Sequence, residues 1–216
     1  MTYKAVLLDL DGTLLDTIED LTSAMNSALG ELGCPKRRLP ECRFFVGDGL
    51  RTFALRALPE DRRDEQTVQR CCEVFRDAYG RCWNVKTRPF DGIGELLEAL
   101  TRRRVAMAVL SNKPDDFTKM MVREMLRDWR FRAVRGVGPD GVTKPDPAGA
   151  LAIADEMNTP PEEFLYLGDT GTDMRTAGAA GMFAVGATWG FRPAAELTEN
   201  GAKVLIDHPM HLLKLL

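Results

Sequence analysis

The sequence predicts an α/β protein, a parallel sheet with helices on both faces, interrupted near its start by an inserted helical domain. Three observations lead there. Short apolar runs recur that are continuous rather than alternating, which suits strands buried on both faces. Amphipathic helical patterns separate these runs, the alternation expected of a parallel sheet. Residues 17–85 break that alternation, with helical spacing and no strand signal.

Taken in order, the first strand is Ala5-Val6-Leu7-Leu8, ending at Asp9 and a glycine turn. Further strands are expected at 105–110, around 131–134, and at 164–167, 182–185 and 204–206. Ile93, Leu96, Leu97 and Leu100 mark one helix of the sheet domain, and Phe117, Met120, Met121 and Met125 the next. Segments 148–157 and 172–180 complete that set. Within the insert, Leu21, Ala24, Met25, Ala28, Leu29 and Leu32 line one helix face. Residues 50–58 suggest a second helix, and Val68, Cys71, Phe75, Ala78, Tyr79 and Cys82 a third. The expected organisation is therefore a core of 1–16 with 86–216, and a helical domain of 17–85.

Length and composition bound the function. With about 150 residues per domain as a guide, 216 residues make one to two domains and a core that needs no disulfide or structural metal. A hydrophobic content of 44% is too high for a disordered chain. The formal net charge of -3, with basic runs only at Lys36-Arg37-Arg38 and Arg102-Arg103-Arg104, speaks against nucleic acid as a partner. Five cysteines, an odd number with two adjacent and no C-x-x-C spacing, read as reduced thiols in a cytoplasmic protein. No segment reads as a signal peptide or a membrane span.

In an open parallel sheet, ligands sit outside the carboxyl ends of the strands, so the residues there belong together. They are Asp9-Leu10-Asp11-Gly12-Thr13, Ser111-Asn112-Lys113, Thr143-Lys144-Pro145-Asp146-Pro147 and Gly168-Asp169-Thr170-Gly171-Thr172-Asp173. Carboxylates gathered at one edge repel one another unless a cation intervenes. Oxygen donors without His or Cys select a hard metal, most naturally Mg2+. A lysine and a hydroxyl beside that metal suit phosphoryl oxygens, one carboxylate can attack phosphorus, and another can move the proton. In an extended loop, positions i and i+2 lie on the same side, which pairs Asp9 with Asp11. The stretch Gly136-Val137-Gly138-Pro139-Asp140-Gly141 fits a dinucleotide pattern by letter but opens no helix, and reads as a loop.

These four segments together resemble the motifs of the haloacid dehalogenase superfamily, and the resemblance spans essentially the whole chain. It implies a Rossmann-like core with an inserted helical cap. Position by position, it implies Asp9 as nucleophile, Asp11 as general acid/base, Ser111 and Asn112 as phosphate-binding residues, and Lys144 as the balancing cation. Asp9, the Asp11 backbone carbonyl and Asp169 would hold Mg2+, with Asp173 supporting the metal from behind. Dehalogenases of the superfamily lack the second aspartate of the first motif, so Asp11 favours phosphoryl transfer. The segment Phe45-Val46-Gly47-Asp48-Gly49-Leu50 resembles a loop of phosphoglycolate phosphatases, as do Phe90-Asp91-Gly92-Ile93 and the pair Gly178 and Gly181. Gly47 and Gly49 would let the cap backbone approach a small substrate, and Arg51 and Arg56 are candidates for a carboxylate clamp.

The expected function is thus a Mg2+-dependent phosphatase of a small phosphorylated metabolite, phosphoglycolate-like, acting as monomer or homodimer. A sugar phosphomutase or pyrophosphatase on the same core is the enzymatic alternative. A non-catalytic binding protein that retains the fold is the alternative of another class.

Overall fold

The computed structural model describes residues 3–139 and 141–216, and the chain forms two compact units. One contains the residues up to Leu15 together with Pro89–Leu216, and the other is Asp16–Arg88. In chain order the strands are β1 (Ala5–Leu8), β2 (Leu15–Asp16), β3 (Arg88–Pro89), β4 (Ala106–Pro114), β5 (Ala133–Val137), β6 (Phe164–Gly168), β7 (Phe183–Ala187) and β8 (Val204–Ile206). The short strands β2 and β3 pair with each other, where the chain passes from one unit to the other and back. Of the helices, α1 (Ile18–Glu31), α2 (Leu39–Phe45), α3 (Leu50–Ala57) and α4 (Glu65–Cys82) belong to the second unit. The first unit holds α5 (Ile93–Arg102), α6 (Asp115–Met125), α7 (Ala148–Glu156), α8 (Gly171–Ala179) and α9 (Ala194–Glu199).

The sheet of the first unit has the order β5-β4-β1-β6-β7-β8, and every pairing in it is parallel. All four residues of β1 are fully buried, because the strand lies at the middle of the sheet with both faces covered. Ala5, Leu7, Ala108, Leu110, Phe164 and Tyr166 pack on one face against Ala150 and Ile153 of α7, Met174 and Ala177 of α8, and Leu197 of α9. The alternate residues Val6, Leu8, Met107 and Val109 point the other way. There α5 buries Ile93, Leu96, Leu97 and Leu100, and α6 buries Phe117 and Met121. This is the α/β architecture that the apolar runs predict.

Two strands differ from their expected extents, both for local reasons. The strand expected around 131–134 begins at Ala133, two residues later. The strand expected to stop at Leu110 continues as β4 to Pro114, and its pairing with β5 is irregular. Leu110 faces Arg135 and Pro114 faces Val137, so Ser111-Asn112-Lys113 stand opposite the single residue Gly136. Extra residues of this kind bend a strand and re-aim its side chains. Gly136 makes the bend possible: a Cβ there would lie 2.6 Å from the Lys113 carbonyl oxygen and from Asp115 Cα. This glycine opens the dinucleotide-like pattern, and its work is close backbone packing; Asp140 of that pattern lies outside the described residues.

In the helical unit α1 and α4 pack together, with Leu21, Met25 and Leu29 of α1 and Val68, Cys71 and Phe75 of α4 buried and Cys71 Sγ 3.8 Å from Met25 Sδ. Phe75 stacks on Tyr79 at 5.4 Å and meets the edge of Phe53 at 5.7 Å. The unit has one helix more than the sequence shows, since α2 has only seven residues, carries Pro40 in its first turn, and buries a single side chain, Cys42. The buried Asp20 carboxylate accepts from the Lys86 and Thr87 backbone N–H groups and from the Thr87 hydroxyl. Those bonds account for residues 86–88 belonging with the helices. All five cysteines are free thiols, and burial pushes Cys71 up to about 12. Among the described residues no helix is long and apolar enough to cross a membrane.

Candidate active site

The first motif begins where β1 ends. Asp9 follows Leu8 directly, its N–H bonded to the Leu167 carbonyl at 3.0 Å, which places its side chain at the carboxyl edge of the sheet. The next residues form a tight turn rather than the extended loop expected from the sequence. Leu14 and Leu15 both donate to the Leu10 carbonyl, and Gly12 takes φ +89°, a conformation that favours glycine. The Asp9 side chain is buried and its Oδ1 accepts from Lys144 Nζ at 2.7 Å.

Lys144 is the centre of the arrangement. Its ammonium also donates to Asp173 Oδ1 at 2.7 Å and to the Leu110 carbonyl at 3.2 Å, with 3% of its side chain exposed. The loop that carries it is held by Asn112, whose Oδ1 accepts the Lys144 N–H at 2.7 Å while its Nδ2 donates to the Lys144 carbonyl at 3.0 Å. The Asn112 side chain therefore positions the loop that carries the lysine. Ser111 is buried beside it, its Oγ accepting from the Lys113 N–H at 3.2 Å.

The fourth motif sits at the β6–α8 junction. Thr170 caps α8, and Asp173 closes a reciprocal box by accepting the Thr170 N–H at 3.0 Å and its hydroxyl at 2.7 Å. Asp173 is thus both a helix-cap partner and an ion-pair partner of Lys144. Asp169 is fully buried, with Oδ1 accepting from the Thr13 hydroxyl at 2.9 Å and Oδ2 from the Phe191 N–H at 2.7 Å. Glycines line it closely: a Cβ at Gly12 would lie 2.4 Å from Asp169 Oδ2, and one at Gly190 2.3 Å from Asp169 Cβ.

Asp9, Asp169 and Asp173 bring carboxylate oxygens within 4.8 Å of one another, all three buried. Burial and the repulsion of Asp173 raise Asp9 well above the usual carboxylate range, although Lys144 opposes this. The same two causes push Asp169 up to about 7, against the pull of the Phe191 N–H and the Thr13 hydroxyl. Burial acts against the Lys144 ammonium, yet Asp173 and Asp9 outweigh it and hold Lys144 well above the ordinary lysine value. Three carboxylates against one ammonium leave an excess of negative charge that a divalent cation would offset. The donors are all oxygen, so the cluster fits a hard ion such as Mg2+. The Asp11 carboxylate lies apart from this cluster, paired with Lys113 at 2.9 and 2.8 Å.

Of the residues expected in the site, Asp9, Asp11, Ser111, Asn112, Lys144, Asp169 and Asp173 all lie at the carboxyl edge of this one sheet. Gly47 and Gly49 belong to the helical unit, with φ of +115° and +88°, so their backbone conformation alone calls for glycine. Arg51 is an exposed partner of Glu65 at 2.6 Å. Arg56 reaches Asp48 at 2.7 Å and the Phe45 carbonyl at 3.1 Å, and so braces the loop between α2 and α3. Lys113, Thr13 and Thr170 lie within the four motifs but make contacts the motifs do not announce, and Phe191 reaches the site through its backbone, which no side-chain pattern reveals.

Residues 6–187 match the model of the haloacid dehalogenase-like hydrolases. The chain belongs to that family. It is 32% identical over 214 residues to phosphoglycolate phosphatase 1 of Pseudomonas aeruginosa, covering 97% of this chain and 78% of that one. It is 33% identical over 222 residues to the N-acetylmuramic acid 6-phosphate phosphatase of the same organism, covering 100% and 96%. A crystal structure of a "predicted phosphoglycolate phosphatase" from Haemophilus somnus superposes with a TM-score of 0.91 at 25% identity, covering 100% of this chain and 98% of that one. The haloacid dehalogenase-like core of this chain is thus a hydrolase core, with phosphatases among its relatives.

The cluster makes a prediction that does not depend on turnover. Mg2+ raises the thermal midpoint, by an amount equivalent to about 2.7 kcal/mol at a concentration 100 times its dissociation constant. Protons compete with the ion for Asp169: below its value of about 7 the carboxyl is protonated and must release a proton to bind. The shift is therefore larger at pH 8 than at pH 6, and Asp169→Asn removes most of it. Thermal melts with and without Mg2+ at both pH values check this, and an equal shift in the variant would contradict the ligand assignment.

Proposed function

We propose that this chain is a Mg2+-dependent phosphatase that hydrolyses a small phosphomonoester through an aspartyl-phosphate on Asp9. The observation that carries the reading is the buried Lys144 ammonium held between Asp9 and Asp173 at 2.7 Å each, beside Asp169 at the sheet edge. An anionic nucleophile and an anionic phosphoryl group repel each other, so attack requires fixed positive charge at the point of contact. Lys144 supplies one such charge. Mg2+, held by Asp9, Asp169 and the Asp11 backbone carbonyl with Asp173 behind, would neutralise phosphoryl charge and align the group.

The steps follow from the side chains. An Asp9 oxygen attacks phosphorus while Asp11 gives its proton to the departing alkoxide. Water then attacks the phosphoryl group on Asp9, and Asp11 takes up a proton from it. Ser111, in the irregular last part of β4, would hold a phosphoryl oxygen. Residues 16–88 form the cap in this reading, and the loop with Gly47 and Gly49, braced by Arg56, is its part closest to substrate choice.

Phosphoglycolate is the first substrate to test, given the phosphatase relatives at 32% identity and the cap-loop glycines. A second reading has its own support: the relative acting on N-acetylmuramic acid 6-phosphate matches over 96% of its length, against 78% for the phosphoglycolate phosphatase. Release of inorganic phosphate from both compounds, with pyrophosphate and a hexose phosphate alongside, decides between them. Mg2+-dependent release from either ester supports the reaction. A product that keeps its phosphate would identify a mutase, and no release from any ester would refute the proposal.

A further inference from the structure

Lys113 is a buried lysine that the steps above do not use. Its ammonium bridges both oxygens of Asp11 at 2.9 and 2.8 Å, with the two side chains 4% and 12% exposed. Its backbone is fixed on both sides: the N–H donates to Ser111 Oγ at 3.2 Å, and the carbonyl accepts from Thr118 Oγ1 at 3.3 Å. The irregular end of β4, possible because Gly136 has no side chain, sets that backbone where it is. An exposed pair of this kind would be worth little. A pair so shielded from water keeps most of its electrostatic interaction.

We propose that Lys113 is a positioning residue for proton transfer, stabilising the charge that Asp11 acquires as it gives its proton to the leaving group. The inference rests on the reading of Asp11 as general acid. In that step the P–O bond to the leaving group breaks and its electron pair stays on the departing oxygen. The Asp11 O–H bond breaks, its proton joins that oxygen, and Asp11 is left a carboxylate. Lys113 Nζ lies within hydrogen-bond distance of both oxygens on which that charge develops. Positive charge fixed beforehand where negative charge develops lowers the barrier without further reorganisation. Lys113 also holds the Asp11 side chain in one orientation, ready for the water that attacks in the second step.

The test separates this role from a structural ion pair by the leaving group. An alkyl ester such as phosphoglycolate expels a basic alkoxide that needs a proton, whereas p-nitrophenyl phosphate expels a stable phenolate that does not. Lys113→Met lowers kcat/KM for phosphoglycolate, or for N-acetylmuramic acid 6-phosphate if that is the faster ester, by about 100-fold, the scale of general acid catalysis. The loss on p-nitrophenyl phosphate is at least tenfold smaller, and Lys113→Arg, which can still bridge a carboxylate, recovers most of the activity. Equal losses on both substrates overturn the proposal. Asp11→Asn tests the underlying reading separately. A uniform loss there refutes the general acid itself, while a selective loss there with a uniform loss in Lys113→Met refutes only the role of Lys113. The double variant Asp11→Asn/Lys113→Met has no unpaired carboxylate and covers the case in which Lys113→Met alone fails to fold. Its activity on the alkyl ester matches that of Asp11→Asn, and a further tenfold loss would show that Lys113 acts elsewhere.

Discussion

Asp9→Asn abolishes turnover, lowering kcat on the preferred ester by a factor on the order of 10⁴ or more, as expected when a nucleophile is removed. The carboxamide has the shape of the carboxylate but neither its charge nor its nucleophilicity, so no phosphoryl group is transferred to position 9. The fold survives the change. Asp9 is one of three crowded, buried carboxylates, and burial with the repulsion of Asp173 already makes its charged form costly. Its raised pKa means that its charge weakens the metal-free protein as pH climbs above the unfolded value towards the folded one. Losing that charge offsets the loss of one Lys144 bond, since Lys144 keeps Asp173 and the Leu110 carbonyl. Phosphate release and thermal melts on the same preparation check both halves. A folded variant with full Mg2+-dependent turnover would remove Asp9 from the role of nucleophile.

Much of this arrangement is legible in the sequence, for a reason that particular residues show. Strands such as Ala5–Leu8 announce themselves because burial on both faces leaves no room for polar residues. Once those strands are placed, Asp9 and Asp169 follow β1 and β6 directly, and position alone groups them. Asp173 is legible only as a cap or a ligand, and the structure shows a cap that also holds Lys144. The end of β4 is not legible, because Ser111-Asn112-Lys113 have loop composition while remaining within a strand. The Lys113–Asp11 pair joins residues 102 apart in sequence, and nothing local to either announces it. Nor do the glycines around Asp169 declare their reason, since Gly12 and Gly190 come together only in the folded chain. In the helical unit, burial of α2 rests on one cysteine, too little to make a periodic pattern.

Lys144→Met produces the largest loss of stability of any single change at the site, about 3–5 kcal/mol, the cost of breaking a buried ion pair from one side. Methionine fills much of the space, so the loss reports charge rather than a cavity. Asp9 and Asp173 then face each other buried, with the ammonium that pairs with both removed. Two controls attribute the effect. Mg2+ restores more stability to the variant than to the parent, because it binds N and supplies charge where the ammonium was. Lys144→Met combined with Asp173→Asn is more stable than Lys144→Met alone, as the second change removes one of the repelling carboxylates; residues in direct contact are where such non-additivity is expected. Urea denaturation of the three proteins, with and without Mg2+, measures all of this. Were the double variant less stable than the single one by the full cost of Asp173→Asn, the lysine would be packing material rather than the counter-charge of the site, and the attack of Asp9 would need its positive partner elsewhere.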